Sequence, residues 1–133
     1  MDNESLLKKI KQLEETIEHL QYKQDLLFNN STVDRYLYES NITKKQYNQI
    51  MDLFEKYRNQ IFHKQPVNHN NFETEIYAIF DKENENQSYK NLIHNYHFVE
   101  GLAMSFWEEG RWEEVFMELY GKMPKYKYLE EDK

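Results

Sequence analysis

The sequence predicts an all-α fold, in which an N-terminal heptad (coiled-coil) helix precedes a small bundle of about five helices. Three observations indicate it. Apolar residues recur at heptad spacing in the first 30 residues. Later segments place apolar residues three and four apart, which is the period of one helix face. Only three Gly and two Pro occur among 133 residues, so residues that interrupt helices are scarce.

The first helix is predicted over Asn3 to Phe28 by a repeat of leucine and isoleucine. If the leucines occupy heptad position d, the isoleucines occupy a, and this combination favours a parallel two-stranded coiled coil. Lys9 at g can then meet Glu14 at e of a second copy. The predicted self-association seam consists of Leu6, Ile10, Leu13, Ile17, Leu20 and Leu27. We therefore expect a homodimer or a small homo-oligomer.

A seam of three heptads is marginal by itself. Six apolar side chains at ~1.5 kcal/mol each contribute about 9 kcal/mol per chain. Ordering the helix costs more, at ~1 kcal/mol or above per residue. The first helix must therefore also pack on the rest of the domain, or the domain must join the interface. Leu7, Leu26 and Phe28 lie off the seam and are the candidates for those contacts.

The chain divides into a coiled-coil helix over residues 1–30, a helical bundle over 31–124 and a polar tail over 125–133. Ser31 with Asp34 indicates a short second helix. Thr43 with Gln46 forms a capping box for a long third helix, which ends before Pro66.

The later helices are predicted from weaker signals. Asn70 with Glu73 caps a fourth helix. The next helix begins near Ser88 and bends or restarts near His97. Gly110 is a natural C′ residue, and a last helix opens at Arg111.

The net charge of −7 is concentrated in residues 81–119, which hold three basic and nine acidic residues. Such a segment repels duplex DNA and anionic membranes, and it attracts a basic partner. No apolar run approaches the ~20 residues of a membrane span, and the N-terminus lacks a signal-peptide core. A cytoplasmic protein is therefore expected. The chain has no cysteine, which excludes disulfides and thiolate chemistry.

A candidate partner-binding surface surrounds Gly110, where acidic residues flank two tryptophans and an arginine. Trp and Arg are the residue types that dominate interface hot spots. The set consists of Trp107, Glu108, Glu109, Arg111, Trp112, Glu113 and Glu114. The alternative is a solvated helix-hairpin tip with no binding role.

Two other patterns carry candidate chemistry. His94, His97 and Glu100 are spaced by three and could present metal ligands from one helix face. A fourth ligand could come from His63, His69 or Glu73. The alternative is a pair of partly exposed histidines at a helix bend, because the pattern is not His-Glu-x-x-His. We therefore predict no metal and no cofactor.

The C-terminal tail interleaves lysines with tyrosines, an arrangement that can hold single-stranded nucleic acid. The lysines are Lys122, Lys125 and Lys127. Three acidic residues follow and cancel their charge, so nucleic acid is not an expected partner. There is also no Gly-rich phosphate loop and no nucleophile motif, which argues against an enzyme.

The run HFVEGLAMSFWEEGRWEEVFMELY follows a short helix, a polar turn, a long helix and a Phe-led helix. This order resembles the YhaI-like family, small helical proteins of Bacillus and its phages that form a domain of unknown function. The resemblance covers roughly Val33 to Met123 and is most specific over Val99 to Leu119. It implies an all-helical fold and a tendency to associate, and it carries no activity. The heptad helix and the Lys-Tyr-Lys-Tyr tail depart from the family.

The interpretation that these patterns favour is a non-enzymatic, homo-oligomeric protein–protein interaction or regulatory protein of phage or bacterial origin. One alternative is an acidic inhibitor that sequesters a basic host protein, such as a nuclease, a toxin or a DNA-binding factor. A further alternative is a metal-dependent enzyme, which requires that the purified protein contain bound metal.

Overall fold

The computed structural model describes residues 2–83, 91 and 97–131, and this part of the chain contains helices and no strand. The predicted all-α fold is confirmed. The helix start near Ser88 falls outside the described residues. The elements are α1 (Asn3–Asn29), α2 (Thr32–Glu39), α3 (Lys44–Phe62), α4 (His69–Glu83), α5 (Phe98–Glu108), α6 (Glu113–Leu119), a single 3₁₀ turn (Pro124–Tyr126) and α7 (Tyr128–Glu131).

The helix caps predicted at Ser31 and Thr43 are formed, whereas the cap predicted at Asn70 is not. The capping boxes of Ser31 with Asp34 and of Thr43 with Gln46 are both formed reciprocally. The predicted cap Asn70 is wrong by two residues. The side chain of Asn68 accepts the backbone N–H of Asn71 at 2.8 Å, so α4 already begins at His69. Asn70 therefore lies within the first turn.

A cluster of aromatic rings forms the centre of the bundle. Phe54 of α3 packs edge-on against Phe72 of α4 and Phe106 of α5, with ring centroids 5.1 and 5.2 Å apart. Trp112, just before α6, adds a third ring at 5.6 Å. Large aromatic rings thus join four helices of a chain in which only 39% of residues are hydrophobic.

Part of the C-terminal segment over residues 125–131 packs on the bundle. Leu129 of α7 is buried, and the Tyr126 hydroxyl donates to Glu100 Oε2 at 2.6 Å. Lys125 Nζ donates to the same carboxylate oxygen at 2.7 Å. Burial is the largest single influence on Glu100 and raises its pKa, but these two hydrogen bonds together with the nearby positive charge of Lys125 outweigh burial and lower the pKa of the carboxyl group. Two residues of the alternating Lys–Tyr pattern, Lys125 and Tyr126, therefore form hydrogen bonds within the chain.

None of the described helices combines the length and the apolar character that a membrane crossing requires.

Candidate self-association surface

The six residues of the predicted seam line one side of α1 and face solvent. Their exposed fractions range from 45% for Leu6 to 62% for Leu13, which is high for large aliphatic side chains. Ile17 at the centre of the stripe is 54% exposed. We call these six residues the α1 stripe: Leu6, Ile10, Leu13, Ile17, Leu20 and Leu27. No described part of the chain folds back to cover this surface.

The opposite side of α1 holds the helix to the bundle, but only over its C-terminal half. His19 and Leu26 are buried, and Tyr22 packs toward Tyr47 of α3 with ring centroids 6.4 Å apart. At 100° per residue, this docking face lies roughly 130–170° around the helix from the α1 stripe. The same helix therefore holds the bundle on one side and leaves the α1 stripe exposed on the other.

The N-terminal half of α1 extends beyond the bundle. Every residue from Asp2 to Glu15 is exposed, whichever way it faces on the helix. Residues 3–15 form about 20 Å of helix at 1.5 Å per residue. Isolated helices of this length are marginal in water, since few hydrogen bonds offset the cost of nucleation. Such a segment needs a covering partner to be stably helical.

Polar side chains fix the point where α1 joins the bundle. Asn41, in the turn between α2 and α3, adopts a left-handed backbone conformation with φ of 58°. Its side-chain oxygen lies 2.7 Å from Nε2 of His19 and accepts a hydrogen bond from Lys23 Nζ at 3.1 Å. Its backbone carbonyl accepts from Asn91 at 2.9 Å, and Asn91 in turn is bonded to buried Gln46. This network sets the direction in which α1 leaves the bundle.

His19 is the buried titratable group of this junction. Burial lowers its pKa, the hydrogen bond to Asn41 partly opposes that change, and the nearby positive charge of Lys23 adds to it. The neutral imidazole is therefore the form that the folded junction favours.

Sequence reasoning found one of the docking residues and missed the others. Leu26 is buried as predicted, whereas Leu7 and Phe28 are 66% and 90% exposed, so that expectation is wrong for them. Leu7 lies in the half of α1 that extends beyond the bundle, and Phe28 lies on another side of the helix, away from His19 and Tyr22. The spacing of 19, 22 and 26 is itself a helical period, and it could have marked a second packing face.

The candidate surface around Gly110 is largely engaged within the chain. Trp112 lies between Phe54 and the Arg58 guanidinium, which is 4.7 Å from the Trp112 ring. Arg111 lies over the Phe106 ring and donates to the Tyr47 hydroxyl at 3.0 Å.

Of the remaining members of that surface, two contact other parts of the chain and three are wholly or partly exposed. Glu109 accepts the backbone N–H of Val33 at 2.9 Å, at the start of α2. Trp107 packs toward Phe116, with ring centroids 6.0 Å apart. Glu108 and Glu114 are exposed, and Glu113 is partly exposed. The structure thus accounts for most of this set by packing, and a partner for it stays a prediction.

The candidate metal ligands are only partly described. His94 lies outside the described residues, and His97 is an exposed residue just before α5. Of the proposed fourth ligands, His69 and Glu73 lie together with an Nδ1–Oε2 distance of 3.6 Å. Tyr120 donates to Glu73 at 3.0 Å. Within the described ranges, no group of three or more His, Cys, Asp or Glu residues is placed to hold a metal ion.

No family model, curated protein or solved structure matches this chain. The resemblance to the YhaI-like family therefore stays a prediction from the sequence.

Proposed function

We propose that this chain is a non-enzymatic protein–protein interaction protein that works as a homo-oligomer, assembled through the α1 stripe. The observation that carries the proposal is the exposure of all six stripe residues on a helix whose first half extends beyond the bundle. Contiguous exposed apolar surface on a folded domain marks an interaction site.

The pattern within the α1 stripe favours a second copy of this chain as the partner. Isoleucine at a and leucine at d are the pairing that two-stranded coiled coils use, and both helices of such a pair carry the same repeat. The bundle is attached on the far side of α1, so it leaves room for that second helix. The aromatic bundle is then the part that each copy presents to other molecules, in the cytoplasm of a bacterial or phage-infected cell.

Hydrogen exchange over residues 3–15 tests the proposal. Because this segment is exposed throughout the single chain, its amides should be protected only when a second copy covers it. We expect protection to rise with protein concentration in the unmodified chain. The double variant Leu13→Glu/Ile17→Glu should lose protection at every concentration, since it places four like charges in the seam of a pair.

The matched control is Lys8→Glu/Glu15→Lys, which alters two exposed residues on the outer side of α1. It should keep the concentration-dependent protection. Protection of residues 3–15 that does not change with the concentration of the unmodified chain, and that persists in the stripe variant, would contradict the proposal.

A further inference from the structure

The polar residues at the two ends of the α1 stripe bear on how two copies of the helix align. Polar residues occupy a at both ends, Asn3 at the free end and Gln24 beside the bundle. In a parallel, in-register pair, each of these amides faces its own equivalent and can bond to it. In the antiparallel pair that overlaps the whole stripe, Asn3 would instead face Leu27 and Gln24 would face Leu6. That arrangement buries amides against leucine.

Charges at the edges of the stripe favour the same alignment. Lys9 at g lies beside Glu14 of the second copy at e when the helices are parallel. The antiparallel arrangement brings Glu14 next to its own equivalent and Lys9 next to Lys23. Like charges at such edges repel each other. The charge–charge interaction at the edges of the stripe is therefore attractive in the parallel alignment and repulsive in the antiparallel one.

The highly exposed aromatic side chain of Phe28 also fits the parallel pair. Phe28 is 90% exposed and occupies position e, just past the last leucine of the α1 stripe. The g residue that precedes it by five is Lys23, whose Nζ lies 4.6 Å from the centroid of the Tyr38 ring. Parallel pairing therefore brings Phe28 of one copy to the edge formed by Lys23 and Tyr38 of the other. This edge is half-buried against the bundle.

We propose that two copies pair through α1 in a parallel, in-register arrangement, with Phe28 of each copy packed against the Lys23–Tyr38 edge of the other. This inference rests on the proposed self-association. It places both bundles at the same end of the paired helices. A partner with two matching sites would then meet two identical surfaces held at a fixed separation, which raises avidity without any new contact.

Disulfide trapping tests the alignment, because the unmodified chain has no cysteine. Asn3→Cys and Gln24→Cys place one thiol at each polar a position of the full-length chain. In the parallel, in-register pair, each thiol faces its equivalent, and both variants should form linked dimers in a glutathione buffer. In the antiparallel pair, the two Asn3 positions are about 36 Å apart and cannot link. Glu15→Cys, on the outer side of α1, is the matched control and should stay unlinked.

The outcomes separate this inference from the proposed function. If the unmodified chain has the mass of a dimer and neither Asn3→Cys nor Gln24→Cys links more than Glu15→Cys, the alignment is wrong and self-association stands. If the unmodified chain has the mass of a trimer, the two-stranded pair is wrong. If it is a monomer, the proposed function fails as well.

A second pair of variants tests the Phe28 contact. Phe28→Ala should weaken dimerisation by about tenfold, since a partly buried aromatic ring is lost. Phe62→Ala removes an equally large ring that is 80% exposed at the end of α3, away from the α1 stripe, and should leave the dissociation constant unchanged. A Phe28→Ala variant that dimerises as tightly as Phe62→Ala would overturn this contact.

Discussion

His19 links the ionisation of one residue to the stability of the junction between α1 and the bundle. Its pKa in the folded chain is lowered from the ordinary value of 6.5, chiefly by burial. The unfolded chain therefore binds a proton more readily than the folded chain. This contribution to stability is fully present above pH 6.5, and it is lost as the pH falls toward the lowered pKa of the folded state.

We expect the free energy of unfolding to decrease between pH 7 and pH 5, and His19→Gln to make that decrease smaller. Glutamine can still donate to Asn41 but carries no charge at either pH. Urea unfolding at the two pH values measures the difference. His63→Gln changes an exposed histidine and serves as the control. An identical pH dependence in His19→Gln and the unmodified chain would exclude His19 as the cause.

Lys64 follows the last turn of α3 in a left-handed conformation that suits glycine. Its φ is 58°, and the next N–H, of Gln65, bonds back to the Gln60 carbonyl at 2.8 Å. A side chain in this region costs ~1–2 kcal/mol, and glycine gives part of that back through the greater entropy of the unfolded chain. Lys64→Gly should therefore stabilise the protein by about 0.5–1 kcal/mol, measured by thermal unfolding. Lys64→Ala keeps the Cβ and should not, and equal melting temperatures for the two variants would contradict the argument.

Single residues with strong local chemistry were the most predictable part of the structure. The caps at Ser31 and Thr43 follow from side chains that reach a backbone N–H three residues later. Gly110, the predicted C′ residue, is left-handed with φ of 75°, but the other left-handed positions of the described chain were harder to predict, because they fall on Asn30, Asn41, Lys64 and Trp112. Asparagine is enriched in this region and lysine is not, so tertiary context decides which of these residues adopt it.

At the scale of elements, the contact between α2 and α5 depends on Gly101. Tyr36 of α2 lies against this glycine, packs on Phe98 with ring centroids 5.4 Å apart, and donates to the Phe98 carbonyl at 2.9 Å. Burial raises the pKa of the Tyr36 hydroxyl to about 12, so it stays protonated as a donor. A Cβ at position 101 would overlap the Tyr36 hydroxyl.

Gly101→Ala should therefore lower the free energy of unfolding by about 1–2 kcal/mol. Alanine gains ~1 kcal/mol in helix propensity, but overpacking costs typically 1–3 kcal/mol, and we expect the upper part of that range, about 2–3 kcal/mol, because the ring has to move. Denaturant unfolding of a double-mutant cycle with Tyr36→Phe provides the check. Removing the hydroxyl should relieve part of the loss, and additive effects of the two substitutions would rule out the predicted clash.

Element boundaries departed from the sequence prediction where tertiary packing competes with local preference. The last helix was expected to open at Arg111, and it begins at Glu113. Trp112 instead adopts a left-handed φ of 55°, which places its ring on Phe54 and beneath Arg58. A local sequence pattern carries no information about a ring sixty residues away.

At the scale of the whole molecule, the first half of α1 extends beyond the bundle, whereas its C-terminal half packs on the bundle. The heptad pattern predicted which residues the bundle would leave exposed, because a seven-residue repeat places apolar residues along one side of a helix. It did not predict that His19 and Tyr22 would help to join the C-terminal half of that helix to the bundle. That packing depends on Asn41, a residue with no signal of its own in the sequence.

The residues of the α1 stripe should not be needed for the fold of the single chain. None of the stripe residues is buried against the bundle, so Leu13→Glu/Ile17→Glu should leave the near-UV circular dichroism of the bundle aromatics unchanged. Loss of that signal would mean that the α1 stripe supports the fold of the single chain, contrary to the observed exposure.

The most direct test of the central claim is the mass of the unmodified chain in solution, measured by sedimentation equilibrium at tens of micromolar. An α1 stripe covered by a second copy predicts a mass of twice the 16.5 kDa of one chain, decreasing toward that value on dilution. A mass of 16.5 kDa that does not change with concentration would contradict the claim.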